Sequence, residues 1–94
     1  LVPILTFKTF DEVIERANDN DLGLCSYLYT NSMDKAHIGS EKLETGCVAV
    51  NTGVVALAEA PFGGIKQTGY GREGGSGAIK DYLNVKYTHM GLKI

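Results

Sequence analysis

The sequence predicts an α/β fold, with parallel strands joined by right-handed helical crossovers, and three observations carry that expectation. Short apolar runs at residues 24–30 and 47–50 alternate with helix-patterned stretches at 10–17 and 33–44. Turn-forming residues, Asn18-Asp19-Asn20-Asp21 and Gly46, punctuate them. The order reads β-α-β-α-β-loop-α-β, the alternation that builds short βαβαβ units rather than a bundle or a sandwich.

Leu1 to Phe7 reads as an opening strand. Thr9-Phe10-Asp11-Glu12 is a capping box, in which the Thr9 hydroxyl accepts from the Glu12 amide and Glu12 reaches back to the Thr9 amide. Phe10, Val13, Ile14 and Ala17 then follow the i, i+3, i+4, i+7 stripe of an amphipathic helix. Glu12 and Arg16 lie one turn apart on its flank. Asn18 to Asp21 and Gly23 end it. Leu24 to Thr30 is a continuous apolar and aromatic run, as expected of a strand buried on both faces.

Asn31 or Ser32 caps a second helix over about Met33 to Glu44, which tolerates Gly39 at a cost of about 1 kcal/mol against alanine. Gly46 is placed to stop it in the left-handed conformation, and Cys47 to Val50 follows as a short buried strand. Regularity then lapses until Ser76, a long connection of the kind that is functional or leans on structure supplied elsewhere. Ala78 to Leu83 reads as a short final helix. Val85, Tyr87 and His89 alternate with Lys86, Thr88 and Met90 in a last strand. Its open side calls either for another subunit or for a return onto its own sheet.

The 94 residues make about one small domain. Such a chain buries only ~60–65% of its unfolded surface, so its core is modest. Hydrophobic content of 44% and charged content of 21% argue for a globular rather than a disordered chain. A net charge of −2 with scattered basic residues points away from nucleic acid and anionic membranes. No apolar run approaches the ~18 residues of a membrane span, and no signal-peptide pattern opens the chain, so a cytoplasmic setting is expected. Beginning in an apolar run without methionine, it reads as a piece of a longer protein.

The densest signal is Pro61 to Gly75, with glycines at 63, 64, 69, 71, 74 and 75. Glycine supplies positive φ or close backbone approach, so this path is shaped around another segment, a ligand or a partner. Gly69-Tyr70-Gly71-Arg72-Glu73-Gly74 matches GxGxxG literally. A dinucleotide fingerprint also needs a preceding strand, a following helix and an acid ~20 residues on. Lys66-Gln67-Thr68 is a poor strand and no acid follows Asp81, so the run reads as a structural turn.

Cys25 and Cys47 lie in apolar runs and read as buried structural thiols. His37, expected half-buried on its helix, and His89 have no second ligand at metal spacing, and Ser76 has no paired base. Glu59 and Glu73 flank the glycine-rich stretch; either could act as a general base if desolvated, or remain a solvated or salt-bridged carboxylate. The residues alone compose no complete active site.

Beyond these readings the chain resembles the C-terminal end of the NAD(P)-dependent aldehyde dehydrogenases, in order, over essentially all 94 residues. The resemblance rests on Ala17-Asn18, Tyr27-Leu28-Tyr29-Thr30, Leu43-Glu44-x-Gly46, Val50-Asn51, Pro61 to Gly69 and Gly71-Arg72-Glu73-Gly74. Asn51-Thr52-Gly53, Ile79 to Tyr87 and the Gly91-Leu92 ending look most like the succinate-semialdehyde dehydrogenases. Ala56 stands where those enzymes usually carry a serine thought to help hold the substrate carboxylate, which leaves a related short semialdehyde open. Asn84 stands where the family often has an acid that partners Arg72 near a subunit interface.

The resemblance implies that residues 1–83 are the C-terminal portion of a catalytic domain and 84–94 an oligomerisation strand. It implies oxidation of a small aldehyde, succinate semialdehyde foremost, to a carboxylate with NAD or NADP. The nucleophilic cysteine, the water-activating glutamate and the dinucleotide-binding fold would all lie upstream of Leu1. Neither Cys25 nor Cys47 matches the nucleophile, so this chain alone is expected to bind no cofactor and to be inactive. Phe62 and Ala56 would face the substrate, and Glu73 could support the catalytic glutamate through water. Arg72, Val85, Tyr87 and His89 would contribute to the interface of a homo-oligomer. The alternative is an assembly or interaction module that keeps this fold without catalysis.

Overall fold

The computed structural model describes residues 1–93. The first helix, α1, spans Phe10–Asn18, and Thr9 caps it by accepting from the Glu12 amide at 3.2 Å. The return half of the box differs from expectation: Glu12 Oε2 accepts from the Lys8 amide at 2.9 Å, not from Thr9. Arg16 Nη1 meets Glu12 Oε1 at 3.3 Å and also donates to the Thr6 carbonyl at 2.8 Å. Ile14 is buried, whereas Ala17, the last residue of the expected stripe, is exposed.

After α1 come β1, Leu22–Gly23, and β2, Cys25–Leu28. Helix α2, Met33–Lys42, is capped by Ser32, whose hydroxyl accepts from the Lys35 amide at 3.3 Å. Strand β3, Cys47–Val50, runs parallel to β2 in the register Cys25↔Cys47, Ser26↔Val48, Tyr27↔Ala49 and Leu28↔Val50. The β2-α2-β3 unit is thus the single realised crossover of the expected series. Strand β4, Ile65–Lys66, pairs antiparallel with β1. A 3-10 turn at Ala78–Tyr82 replaces the expected final helix.

Five further expectations are corrected. Leu1 to Phe7 forms no strand: Leu1, Val2 and Ile4 stand exposed. Among the described residues, no backbone–backbone hydrogen bond involves residues 1–8 or 84–93. Extended backbone without a neighbour cannot close a ladder, and the same reason leaves Val85, Tyr87 and His89 outside any strand of this chain. Strand β2 is not buried on both faces, since Tyr27 remains 52% exposed. Gly46 does not adopt positive φ. It is glycine for another reason, because a Cβ there would overlap the Gly63 carbonyl oxygen. His37 is exposed rather than half-buried.

Gly39 has a packing role that offsets its helix cost. A Cβ at this buried position would lie 2.6 Å from Leu28 Cδ2 and 3.4 Å from Phe10 Cζ, so its absence lets α2 settle onto both. The core remains small, with Ile14 and Ala49 its buried apolar residues. The extents of 75 × 27 × 23 Å and a radius of gyration of 19.2 Å exceed the ~13 Å of a compact chain this size, as two long extended ends require.

Candidate functional site

The glycine-rich stretch folds back on itself at Phe62 and Glu73, which exchange backbone hydrogen bonds of 2.7 Å in both directions. Gly75 extends this closure by donating to the Ala58 carbonyl at 2.9 Å. Inside the returning limb, Gly69 and Gly71 hold φ of 135° and 76°. Side chains rarely adopt such angles, so these positions need glycine for conformation. Gly63 and Gly64 need it for space: Cβ atoms there would crowd the Gly71 carbonyl and the Thr68 side chain.

Arg72 locks the loop from within. Its Nη1 donates to the carbonyls of Gly64 at 2.9 Å and Gly71 at 2.7 Å, and its amide donates to Asp81 Oδ2 at 3.3 Å. The guanidinium therefore satisfies loop carbonyls rather than an acid at position 84. Thr68 Oγ1 accepts from the Gly23 amide at 2.8 Å, seating the loop on β1.

At the base, Lys66 occupies a left-handed position, φ 56°, uncommon for a residue with a Cβ. Its Nζ donates to the carbonyls of Asn18 at 2.9 Å and Asn20 at 3.2 Å and pairs with Glu44 at 2.6 Å. Asn18 in turn holds the end of α2, donating to the Lys42 carbonyl and accepting from the Glu44 amide, both at 2.8 Å. These anchors were not singled out from sequence. The signal available was a lysine inside a glycine run, able to reach a helix whose last carbonyls need donors.

The loop walls an open cleft of about 440 Å³, lined by Phe62, Gly64, Tyr70, Arg72, Glu73 and Tyr82 among others. Phe62 is half-buried there, and Glu73 is exposed. Ala56 is not brought in; it lies exposed on the preceding loop. Val85, Tyr87 and His89 stand away from the cleft on the extended end, where the Tyr87 hydroxyl and His89 Nδ1 lie 3.2 Å apart. Glu59 is exposed on the same loop as Ala56. No cysteine or histidine lines the cleft among the described residues. They hold no group of three or more potential metal-ligating side chains and no helix long and apolar enough to cross a membrane.

The residues do not fit a nicotinamide dinucleotide. The glycine run leads into a five-residue 3-10 turn rather than a helix whose N-terminus could receive a pyrophosphate. The nearby guanidinium is already engaged by two loop carbonyls.

Comparison with known proteins places these features. The model of the aldehyde dehydrogenase family matches residues 1–88. A 3-sulfolactaldehyde dehydrogenase of Pseudomonas putida is 47% identical over 91 residues, covering 97% of this chain and 19% of that protein. The NADP(+) succinate-semialdehyde dehydrogenase of Escherichia coli K12 is 45% identical over 92 residues, covering 98% of this chain and 19% of its own length. An NAD+ complex of a Bacillus cereus aldehyde dehydrogenase superposes with a TM-score of 0.84 at 44% identity, over 87% of this chain and 17% of that one. The chain thus spans about a fifth of the length of the relatives it matches.

Proposed function

The chain belongs to the aldehyde dehydrogenase family, and from that premise we propose that it works as the C-terminal part of a longer enzyme oxidising a short semialdehyde to its carboxylate with NAD(P)+. The observation that carries this reading is a cleft shaped by glycine backbone and Phe62 but lined by no cysteine or histidine among the described residues. Such a surface can bound and orient an aldehyde while the nucleophile, the water-activating carboxylate and the coenzyme come from elsewhere.

In this reading Phe62 forms part of the substrate wall. The Phe62–Glu73 closure fixes its backbone, and Arg72 fixes the limb behind it. Glu73, exposed at the cleft, supports the catalytic carboxylate through water. Ala56 reaches the substrate only if its loop is reshaped by the rest of the enzyme. The named substrates of the two quoted relatives, 3-sulfolactaldehyde and succinate semialdehyde, are both short aldehydes carrying a distal anion. The proposed substrate is of that kind, with succinate semialdehyde the first to assay.

Residues 84–94, of which Ile94 lies outside the described residues, act in this reading as the oligomerisation strand, and Val85 and Tyr87, 102% and 83% exposed, supply apolar surface for a neighbouring subunit. Arg72 is assigned to the same interface in this reading. The setting assigned is the cytoplasm.

The test is production of reduced nicotinamide from succinate semialdehyde by two purified proteins, the 94-residue chain and a longer polypeptide ending in it. Turnover by the longer protein alone is expected. Turnover by the short chain unaided would overturn the division of labour. A longer protein that folds and binds no aldehyde would favour the assembly-module alternative.

A further inference from the structure

We propose that Cys25 and Cys47 form a peroxide-sensitive dithiol that closes reversibly into an intrachain disulfide across β2 and β3. They are the two cysteines of the sequence, and they face each other as register partners in adjacent parallel strands. Side chains alternate across a strand, so in-register positions of a parallel pair project to the same face. Both residues are half-buried. Cys25 lines an open cleft with Asn20, Gln67 and Thr68, through which a small oxidant can enter.

Neighbouring strands run ~4.8 Å apart. That spacing falls inside the ~4.4–6.8 Å that Cα atoms span in disulfides, but exceeds their ~3.8 Å mean Cβ separation. Closing the bond therefore requires a small shear of β2 against β3. A bond made under such strain reopens readily with reductant, which suits a switch better than a permanent staple.

The oxidant is a hydroperoxide. The thiolate of one cysteine attacks its terminal oxygen, the O–O bond breaks, and water or an alcohol leaves with the proton. The facing cysteine then attacks the resulting sulfenic sulfur, the S–S bond forms, and hydroxide departs with that cysteine's proton as water. Two thiols lose two electrons and two protons, and the peroxide is reduced. Burial and then the adjacent Cys47 push the Cys25 acidity constant up, so its thiolate is scarcer and linkage quickens as pH rises.

The switch reaches the glycine-rich loop through one contact. Cys47 Sγ donates weakly to the Gly63 carbonyl at 3.8 Å, one residue from Phe62. Oxidation removes that hydrogen and draws the sulfur toward Cys25, releasing the loop. The importance of that release to substrate rests on the proposed role of Phe62; the disulfide itself does not.

The reduced chain is treated with equimolar hydrogen peroxide. Free thiols are expected to fall from two to none, with an intact monomer lighter by two hydrogen atoms and a peptide map linking residues 25 and 47. Dithiothreitol should restore both thiols. C25S should instead gain oxygen at Cys47 or form intermolecular dimers, and C47S should yield no intrachain link. Hydrogen exchange at Phe62 and Gly63 should accelerate on oxidation in the parent chain and not in C25S. Oxygen addition at both sulfurs without intrachain linkage, or linkage only between chains, overturns the proposal. Linkage without faster exchange overturns the coupling to the loop and leaves the catalytic reading untouched.

Discussion

Lys66 closes the end of the first helix through Asn18: its Nζ lies 2.9 Å from the Asn18 carbonyl, while the Asn18 side chain bridges to the end of the second helix. One cation thus ties the glycine-rich stretch, α1 and the exit of α2 into a single junction. Its left-handed backbone, φ 56°, is held by what the ammonium reaches.

Removing that ammonium should cost more than removing its acidic partner. The Lys66–Glu44 ion pair has a carboxylate side 55% exposed, so E44Q is expected to cost less than ~1 kcal/mol. K66M removes hydrogen bonds to the carbonyls of Asn18, at the helix end, and Asn20, just beyond it, and should cost ~1–3 kcal/mol. Urea unfolding of both variants and of their double mutant checks the ordering. Equal losses would reduce the junction to its ion pair.

A methyl group at position 46 has nowhere to go, because the obstacle is the Gly63 backbone rather than a flexible side chain. G46A should therefore destabilise by ~1–3 kcal/mol, as overpacking does. G53A adds a Cβ in open space and should move stability far less. Thermal unfolding of the two variants compares them directly.

R72K preserves the charge and loses the reach of Nη1 to the Gly64 and Gly71 carbonyls. Each such bond is worth about 1.5–3 kcal/mol, so exchange of the Phe62 and Glu73 amides should quicken at least ~10-fold. Unchanged protection would show that the Phe62–Glu73 closure needs no guanidinium.

The Glu12 carboxyl titrates below its ordinary value of 4.5, first because it accepts from the Lys8 amide; desolvation opposes this next, and the nearby Thr9 amide and Arg16 lower it further. Since the folded state holds the lower value, its contribution to α1 is complete above 4.5 and is lost as pH falls through the lowered value. Far-ultraviolet circular dichroism should show helicity declining in that acidic window. E12Q should flatten the decline. A decline that survives E12Q would point to another carboxylate.

Elements with local causes were legible in the sequence. Thr9 and the Phe10, Val13, Ile14 spacing announce α1, and Ser32 announces α2, because caps and stripes act over one or two turns. Strands were legible only where an apolar run found a partner. Cys47–Val50 did, while Leu1 to Phe7, equally apolar, has none in this chain. The β1–β4 pairing escaped notice because it joins two-residue segments far apart in sequence, with no periodicity to read. The glycine stretch declared its importance early, but Gly46 was read as a conformational stop when its constraint is the neighbouring Gly63 backbone.

Among the described residues, the parallel pair of Cys25–Leu28 and Cys47–Val50 has no third strand on either outer side. Parallel sheets ordinarily persist only when enclosed, and unpaired flanks recruit whatever backbone is nearby. Liberated alone inside a cell, such a polypeptide would become a client of chaperones and proteases. Its survival there would depend on how quickly it met the enclosure its sheet lacks.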